Sequence, residues 1–116
     1  MPDRATLSHP RRPAVCLELW TIDAAGGDLP AAVLFSALVS WQVDPTKVGI
    51  RKNGWLWLVR RDDDWWNSTR LSVKQVRRAR GVLRRTGLVD TVRIQIDGVP
   101  LLGWRARIVG SEGPQA

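Results

Sequence analysis

The segment from residue 71 to residue 88 has the pattern of a strongly basic amphipathic helix, and it constrains this chain more than any other stretch. At about 100° per residue its apolar side chains fall on one stripe, whereas the opposite side is almost purely cationic. Ser72 is a favourable N-cap, and Gly87 suits the left-handed position that ends many helices. We therefore predict a helix over residues 72–86 whose packing stripe consists of Val73, Val76, Ala79 and Leu83.

The charge of this helix points to a polyanionic partner. From Arg70 to Arg85 there are seven basic residues and no acidic one. A solvated surface helix usually mixes both signs, because opposite charges three or four residues apart stabilise it. This segment repels itself instead, so we favour nucleic acid as its partner over the alternative of an ordinary solvated face.

Length and charge indicate one small basic domain. The chain has 116 residues and a formal net charge of +7. Residues 51–109 hold 14 basic and 5 acidic residues, a net +9, so the charge is concentrated in the second half. We predict a flexible basic arm over residues 1–14, a folded domain over residues 15–109 and a flexible tail over residues 110–116. The arm either frays or reaches along DNA.

Several function classes are disfavoured by the residues that would have to perform them. Cys16 and His9 are the single cysteine and histidine, so neither a disulfide framework nor a zinc cluster is expected. Nucleophilic catalysis needs partners held together, and the absence of tyrosine excludes a tyrosine recombinase. The near-apolar run 29–41 is shorter than the roughly 20 residues that span a bilayer, and no signal peptide is recognisable. We expect a cytoplasmic, nucleoid-associated protein that is not an enzyme and uses no cofactor, metal or membrane.

Short elements are predicted around the basic helix. Asp28 can cap an apolar helix over residues 31–42, which should occupy the centre of the core. A run of three aspartates, Asp62 to Asp64, opens a short helix that continues to about Ser68. We interpret these carboxylates as partners of the helix dipole rather than metal ligands, because no His or Glu lies nearby. The other predicted segments are a short strand or extended lead-in over residues 15–22, a turn over 24–28, a loop over 43–54 and a strand over 55–59.

Two alternating runs flank an Asp-Gly turn, which is a strong signal for a β-hairpin. The apolar residues are Val92, Ile94 and Ile96 before the turn and Leu102, Trp104, Ala106 and Ile108 after it. We predict that one face of the hairpin packs on the core. The opposite face then presents Arg93, Gln95, Arg105 and Arg107.

A set of short motifs follows these elements in order, namely Gly54-Trp-Leu-Trp, Trp65-Trp, Leu71-Ser-x-x-Gln-Val-x-Arg-Ala, Gly87-Leu-Val and Gly98-x-Pro. Over roughly residues 31–109 the pattern resembles the winged helix-turn-helix domains of phage and plasmid replication proteins, namely the replisome-organiser and DnaD-type N-terminal domains. The resemblance implies an α+β fold with a three-helix core, a short strand and a C-terminal β-hairpin wing over residues 88–109. It also implies that Lys74, Gln75 and Arg78 face DNA. The chain departs from the family at Arg70, where a glycine often closes the turn, and at Arg80, where an apolar residue usually packs.

The sequence therefore favours a sequence-specific, double-stranded DNA-binding protein, either an origin-binding replication protein or a transcriptional regulator. Helix 72–86 would enter the major groove, which accommodates an α-helix, and the wing would lie on the backbone. Gln75 and Arg78 are the candidate base readers. The full set of candidate DNA contacts is Arg70, Ser72, Lys74, Gln75, Arg77, Arg78, Arg85, Arg93, Arg105 and Arg107. Expected partners are double-stranded DNA, a second copy in a homodimer, and replication or transcription proteins.

An alternative hypothesis is a winged-helix adaptor or inhibitor that binds another protein through exposed tryptophan and arginine side chains. Seven tryptophans are many for this length, and tryptophan is enriched at binding hot spots. The competing interpretation places Trp41, Trp55 or Trp57, Trp65 and Trp104 in one core. Burial of the tryptophan side chains separates these two interpretations.

Overall fold

The computed structural model describes residues 18–107, which form four α-helices and one four-stranded antiparallel sheet. The predicted arm over residues 1–14, the tail over 110–116, and His9 and Cys16 lie outside the described residues. In chain order the elements are α1 (Leu19–Ala24), α2 (Leu29–Gln42), β1 (Ile50–Lys52), β2 (Trp55–Arg60), a 3-10 helix (Asp62–Trp65), α3 (Trp66–Thr69), α4 (Val73–Arg85), β3 (Val89–Ile96) and β4 (Val99–Ala106).

Helix α2 is the central element of the core, as predicted from its apolar sequence. Asp28 is its N-cap, and the carboxylate of Asp28 accepts a hydrogen bond of 3.0 Å from the backbone N–H of Ala31. Leu34, Phe35 and Leu38 are fully buried between the other helices and the sheet. The helix begins two residues before the predicted range, because Pro30 is compatible with its first turn.

The prediction of a strand or extended lead-in over residues 15–22 is wrong for its described part, which is helix α1. Thr21 is buried, and its hydroxyl donates 2.6 Å to the carbonyl of Glu18 and accepts 3.0 Å from the hydroxyl of Ser36 on α2. Trp20 meets Phe35 edge to face with ring centroids 5.7 Å apart. These contacts with α2 favour the helix, and local alternation of apolar residues could not reveal them.

The sheet has the strand order β1-β2-β4-β3 and curls into a half-barrel. The predicted loop over residues 43–54 contains strand β1, which pairs with β2 across the Asn53-Gly54 turn. Both turn residues have positive φ, +55° and +82°, which suits a two-residue hairpin loop. Strand β1 escaped prediction because its three residues are all exposed and only one of them is apolar.

The predicted C-terminal hairpin is confirmed, but its faces are not those expected. The Asp97-Gly98 turn pairs Ile96 with Val99, so Val92 lies opposite Gly103 and Thr91 lies opposite Trp104. Directly paired residues share a face of the sheet. The apolar runs of the two strands therefore lie on opposite faces, and both faces are covered. Helices α2 and α4 pack on the face that carries Trp104, and strand β2 curls over the other face.

Gly103 shows how tightly the sheet curls. A Cβ atom built at Gly103 would lie 2.8 Å from Cδ1 of Ile94 and 3.0 Å from Cβ of Trp57. A side chain at position 103 would therefore push the strands apart. The missing side chain at Gly103 therefore allows the sheet to curl at this point.

The predicted winged helix-turn-helix fold, with a three-helix core and a hairpin wing over residues 88–109, is wrong. The structure is an α+β fold in which β4 is an interior strand, hydrogen-bonded to both β2 and β3. Trp104 and Ala106 on β4 have no exposed surface, so this hairpin is part of the body of the domain rather than a free wing. In addition, α3 is a single turn of four residues.

The tryptophans divide between the core and the surface. Trp65 and Trp104 are buried at the centre of the core, with ring centroids 5.2 Å apart in an edge-to-face arrangement. Trp41 packs against this core. Trp57, on β2, is buried on the other face of the sheet beside Gly103. Trp20 and Trp66 are exposed. The interpretation that most tryptophans are structural is thus confirmed for Trp65, Trp104 and Trp41.

Candidate nucleic-acid interface

Helix α4 is fixed at both ends by local hydrogen bonds that its sequence predicts. Ser72 is the N-cap, and its hydroxyl accepts from the backbone N–H of Gln75 at 3.2 Å. The side chain of Gln75 returns to accept from the backbone N–H of Ser72 at 2.9 Å, which completes a capping box. Gly87 has φ +77° just beyond the helix. The two predicted DNA contacts Ser72 and Gln75 therefore also hold the helix start.

The faces of α4 agree with the predicted amphipathic pattern. Val76, Ala79 and Leu83 are fully buried against the core. At about 100° per residue the side most distant from these residues carries Lys74, Arg78, Gly81 and Arg85. We call this line of residues the outer stripe. Lys74, Arg78 and Arg85 on this stripe are exposed, and the side chain of Arg78 reaches Asp28 at the start of α2.

Three cations of α4 have no acidic partner within residues 18–107, namely Lys74, Arg84 and Arg85. All three are exposed. A Cβ atom built at Gly81 would lie 3.3 Å from Nη1 of Arg85, so the Arg85 side chain lies back along the outer stripe over Gly81. Arg84 was not among the predicted contacts, although its place in the last turn of a basic helix was a signal that could have identified it.

Arg78 forms a bidentate ion pair with Asp28, the N-cap of α2. Its Nη2 donates to Oδ2 at 2.7 Å and its Nη1 donates to Oδ1 at 3.3 Å. The backbone N–H of Ala31, followed by the guanidinium of Arg78, holds the pKa of Asp28 below its ordinary value. The side chain of Arg78 nevertheless remains 62% exposed, whereas that of Asp28 is 14% exposed. Arg78 is held, but it remains accessible from solvent.

Arg77 and Arg80 converge on Asp62 at one flank of α4. Arg77 Nε donates to Oδ2 at 3.0 Å, and Arg80 Nη1 donates to Oδ1 at 2.5 Å. The guanidinium of Arg80 also lies 5.6 Å from the ring centroid of Trp104, and its side chain is only 21% exposed. The contacts of Arg80 with Asp62 and with the ring of Trp104 therefore compensate for the burial of its charge beside the packing stripe of α4.

The pair of arginines at Asp62 predicts an acid-sensitive contribution to stability. Burial alone would raise the pKa of Asp62, but hydrogen bonds from Arg80 and then Arg77 outweigh it, so the pKa lies below its ordinary value of 3.8. The folded state thus binds fewer protons than the unfolded state near that pH. The stabilisation is complete above pH 3.8 and is lost as the pH falls through the lowered pKa of the folded state.

We therefore expect Asp62→Asn to lower the free energy of unfolding by about 1–3 kcal/mol at pH 7, because it weakens two charge-assisted hydrogen bonds. The difference from the wild type should shrink as the pH falls below about 4. Urea denaturation across pH 3–7 measures both effects. Asp63→Asn is the matched control, because Asp63 is exposed and its nearest cationic atom, on Arg61, is 3.9 Å away. An equal and pH-independent loss in both variants would contradict this assignment.

Arg70 closes the turn between α3 and α4 in the left-handed conformation, with φ 61° and ψ 24°. A glycine is usual at such a position. The guanidinium compensates, because Nη1 donates to the carbonyls of Trp66 and Asn67 at 2.9 and 3.1 Å. Arg70 thus stabilises its own left-handed conformation, and its side chain remains exposed beside the start of α4.

The three hairpin arginines occupy different environments. Arg93 is exposed, and its side chain has no hydrogen bond or ion pair within the described part of the chain. Arg105 is buried, forms an ion pair with Asp90, and lies 3.7 Å from the ring centroid of Trp55. Arg107 is exposed and shares Asp90, which raises the pKa of Arg107 by hydrogen bonding and by its charge. The burial of Arg105 removes it from any surface that a phosphate can reach.

The described residues differ in charge along the chain. Residues 18–46, which include α1 and α2, hold four acidic residues and no basic one. Residues 47–107 hold 15 basic and 5 acidic residues, a net +10. The basic segment, which includes α4, is the part of the protein that a polyanion would attract.

Other kinds of site were sought among the described residues. Residues 18–107 contain no group of three or more His, Cys, Asp or Glu side chains placed to hold a metal ion. No helix within that range is long and apolar enough to cross a bilayer.

Comparison of the chain with protein-family models, with curated proteins and with solved structures gave no match.

Proposed function

We propose that this protein binds double-stranded DNA through the cationic side of α4. The observation that carries the proposal is the set of exposed cations without acidic partners on one helix, Lys74, Arg84 and Arg85, next to the accessible guanidinium of Arg78. A charge cluster of this kind gains free energy when it replaces the counterions condensed on a polyanion.

Duplex DNA suits this helix better than duplex RNA does. Helix α4 has 13 residues and is therefore about 20 Å long. The B-form major groove is about 12 Å wide and accommodates a helix, whereas the A-form major groove is too deep and narrow for side chains to reach the bases. No feature of the helix provides the exposed aromatic side chains that stack on single-stranded bases.

Base reading would depend on Arg78 and Gln75. Arginine pairs with guanine through two parallel hydrogen bonds, and glutamine pairs with adenine. The Oε1 atom of Gln75 accepts from Ser72 in the capping box, so its amide N–H groups can donate to N7 of a purine, and pairing with adenine needs Oε1 to accept from N6 as well. Lys74, Arg77, Arg84 and Arg85 would contact phosphates, and Arg70 and Arg93 flank them. A small protein of this kind would act at a replication origin or as a transcriptional regulator, as a monomer or homodimer on the nucleoid beside replication or transcription proteins.

Selection from a pool of duplexes with a randomised central region tests this proposal. The bound fraction is sequenced after several rounds at moderate salt. An enriched motif containing at least one guanine establishes sequence-specific binding, and two half-sites at a fixed spacing would indicate a dimer. Binding without enrichment would leave a non-specific DNA-binding role. Failure to retain any duplex would contradict the proposal.

A second candidate function is binding of another protein through exposed apolar side chains on α1 and at the ends of α2. Leu19 and Trp20 on α1, with Leu29 and Val43 at the ends of α2, are exposed apolar side chains in the segment that lacks cations. Exposed tryptophan and leucine side chains in this segment favour a protein contact. Sedimentation equilibrium over a wide concentration range tests self-association, with Trp20→Ser as the variant that should abolish it.

A further inference from the structure

We infer that Asp28 is a positioning residue for base recognition, because it holds the guanidinium of Arg78 in a fixed orientation with one donor edge free. This inference rests on the proposed function and adds the residue that orients the reader. Asp28 was not identified from the sequence as part of the site. It lies 50 residues before Arg78 and was expected only to cap α2.

Asp28 is well suited to hold another side chain still. Its Oδ1 accepts from the backbone N–H of Ala31 at 3.0 Å, so the carboxylate is fixed at the start of the central core helix. Its side chain is largely buried. This carboxylate therefore ties Arg78, on the solvent side of α4, to the N-terminus of the central core helix.

The contact uses one edge of the guanidinium only. Asp28 accepts from Nη1 and Nη2, and Nε makes no hydrogen bond within residues 18–107. A guanidinium has five N–H donors in a planar fork, so about three remain after a bidentate contact. The Nε–H and the second N–H of Nη2 lie side by side and form the pair of donors that matches O6 and N7 of guanine.

Exposure distinguishes Arg78 from the arginines that are structural. The side chain of Arg78 is about three times more exposed than that of Arg80, 62% against 21%. The guanidinium of Arg80 contacts Asp62 and the ring of Trp104, whereas the free edge of the Arg78 guanidinium lies on the outer stripe. A held but accessible arginine does not have to lose its rotameric freedom when it binds, and the gain appears as affinity for the base that it reads.

Asp28→Asn tests this role, because asparagine caps a helix about as well as aspartate but lacks the charge and the second acceptor oxygen. Asp44→Asn is the matched control. It changes the net charge by the same amount, and Asp44 is an exposed residue bonded locally to Thr46. Arg78→Ala defines the guanine position that Arg78 reads. Affinities are measured for the selected duplex and for the duplex with that guanine replaced, and their ratio is the readout.

The ratio should fall about 2- to 12-fold in Asp28→Asn, which corresponds to the freedom of one long side chain. It should be unchanged in Asp44→Asn and lost in Arg78→Ala. A wild-type ratio in Asp28→Asn, or in Arg78→Ala, would overturn the inference while leaving DNA binding intact. Wild-type binding without any base preference would also overturn it. Absence of wild-type binding would instead remove the proposed function itself.

Folding of each variant is checked by circular dichroism and by its unfolding midpoint, because loss of the N-cap would weaken α2. If Asp28→Asn does not fold, Asp28→Ser replaces it, since serine also caps helices but offers no bidentate carboxylate. A purely structural role of Asp28 would lower stability and leave the base ratio unchanged, and that outcome contradicts the positioning role.

Discussion

Replacement of Trp65 by alanine should lower the free energy of unfolding by about 3–5 kcal/mol, the largest effect expected for a single side chain here. Trp65 is 1% exposed, and its ring packs edge to face on Trp104, with the guanidinium of Arg60 4.8 Å from its centroid. Its indole N–H has no hydrogen-bond partner among the described residues, so the loss arises from packing and a cavity rather than from a broken hydrogen bond.

Trp66 provides the matched control for this substitution, because the two tryptophans are adjacent in the chain. Trp66 is 50% exposed, and the guanidinium of Arg70 lies 5.7 Å from the centroid of its ring. Trp66→Ala should therefore cost no more than about 1 kcal/mol. Urea denaturation of both variants, followed by far-ultraviolet circular dichroism, gives the comparison. Equal losses in the two variants would mean that Trp65 does not sit at the centre of the core.

Removal of the free cations on α4 should produce the largest effect on binding. A variant with Lys74→Gln, Arg84→Gln and Arg85→Gln is expected to bind duplex DNA about 100-fold more weakly at about 0.15 M salt, or roughly fivefold per lost phosphate contact. The slope of log K against log salt should become shallower by about 2.7, which is 0.9 for each contact. Stability should change little, because these side chains are exposed and have no acidic partners in residues 18–107.

A second triple variant separates this effect from net charge. Lys47→Gln, Arg51→Gln and Lys52→Gln remove the same charge from strand β1 and the loop before it. If binding depends on α4, this control should lose several-fold less affinity than the α4 variant and keep most of the salt slope. Equal losses would show that the protein attracts DNA through its total charge, without a defined interface.

The parts of the structure that were predictable are those governed by local chemistry. Ser72 and Gln75 form a capping box because their spacing lets each side chain reach the other backbone N–H. The stripe that includes Val76 and Leu83 follows from the helical period. The Asp97-Gly98 turn follows from the positive φ that glycine and aspartate tolerate. Each signal lies within a few residues of its effect.

The parts that escaped prediction depend on residues distant in the chain. The predicted fold is wrong because β4 lies inside a four-stranded sheet instead of forming a free wing, and the pattern of short strands does not specify its second partner. Arg105 is buried because Trp55 and Asp90 reach it across the curled sheet, whereas alternation alone placed it on an exposed face. Helix α1 depends in the same way on its contacts with α2.

The cationic residues of the candidate site are visible in the sequence, whereas their ion pairs are not. The cationic side of α4 is visible from the helical period, and so are Lys74, Arg78 and Arg85. Arg78 pairs with Asp28, which lies 50 residues earlier in the chain. Arg77 pairs with Asp62, which lies 15 residues earlier. These aspartates distinguish a held guanidinium from a free one, and only the folded chain brings them to α4.

Titration of a fluorescent duplex of about 25 base pairs with the wild-type protein, over a salt series from about 0.05 to 0.3 M, tests the central claim most directly. Binding through the cationic side of α4 predicts that the association constant falls as salt rises. The slope of its logarithm against log salt should be about −2.7 or steeper, which is the value for three phosphate contacts. A slope near zero, or no binding at the lowest salt with protein at about 10⁻⁴ M, would contradict a DNA interface on α4.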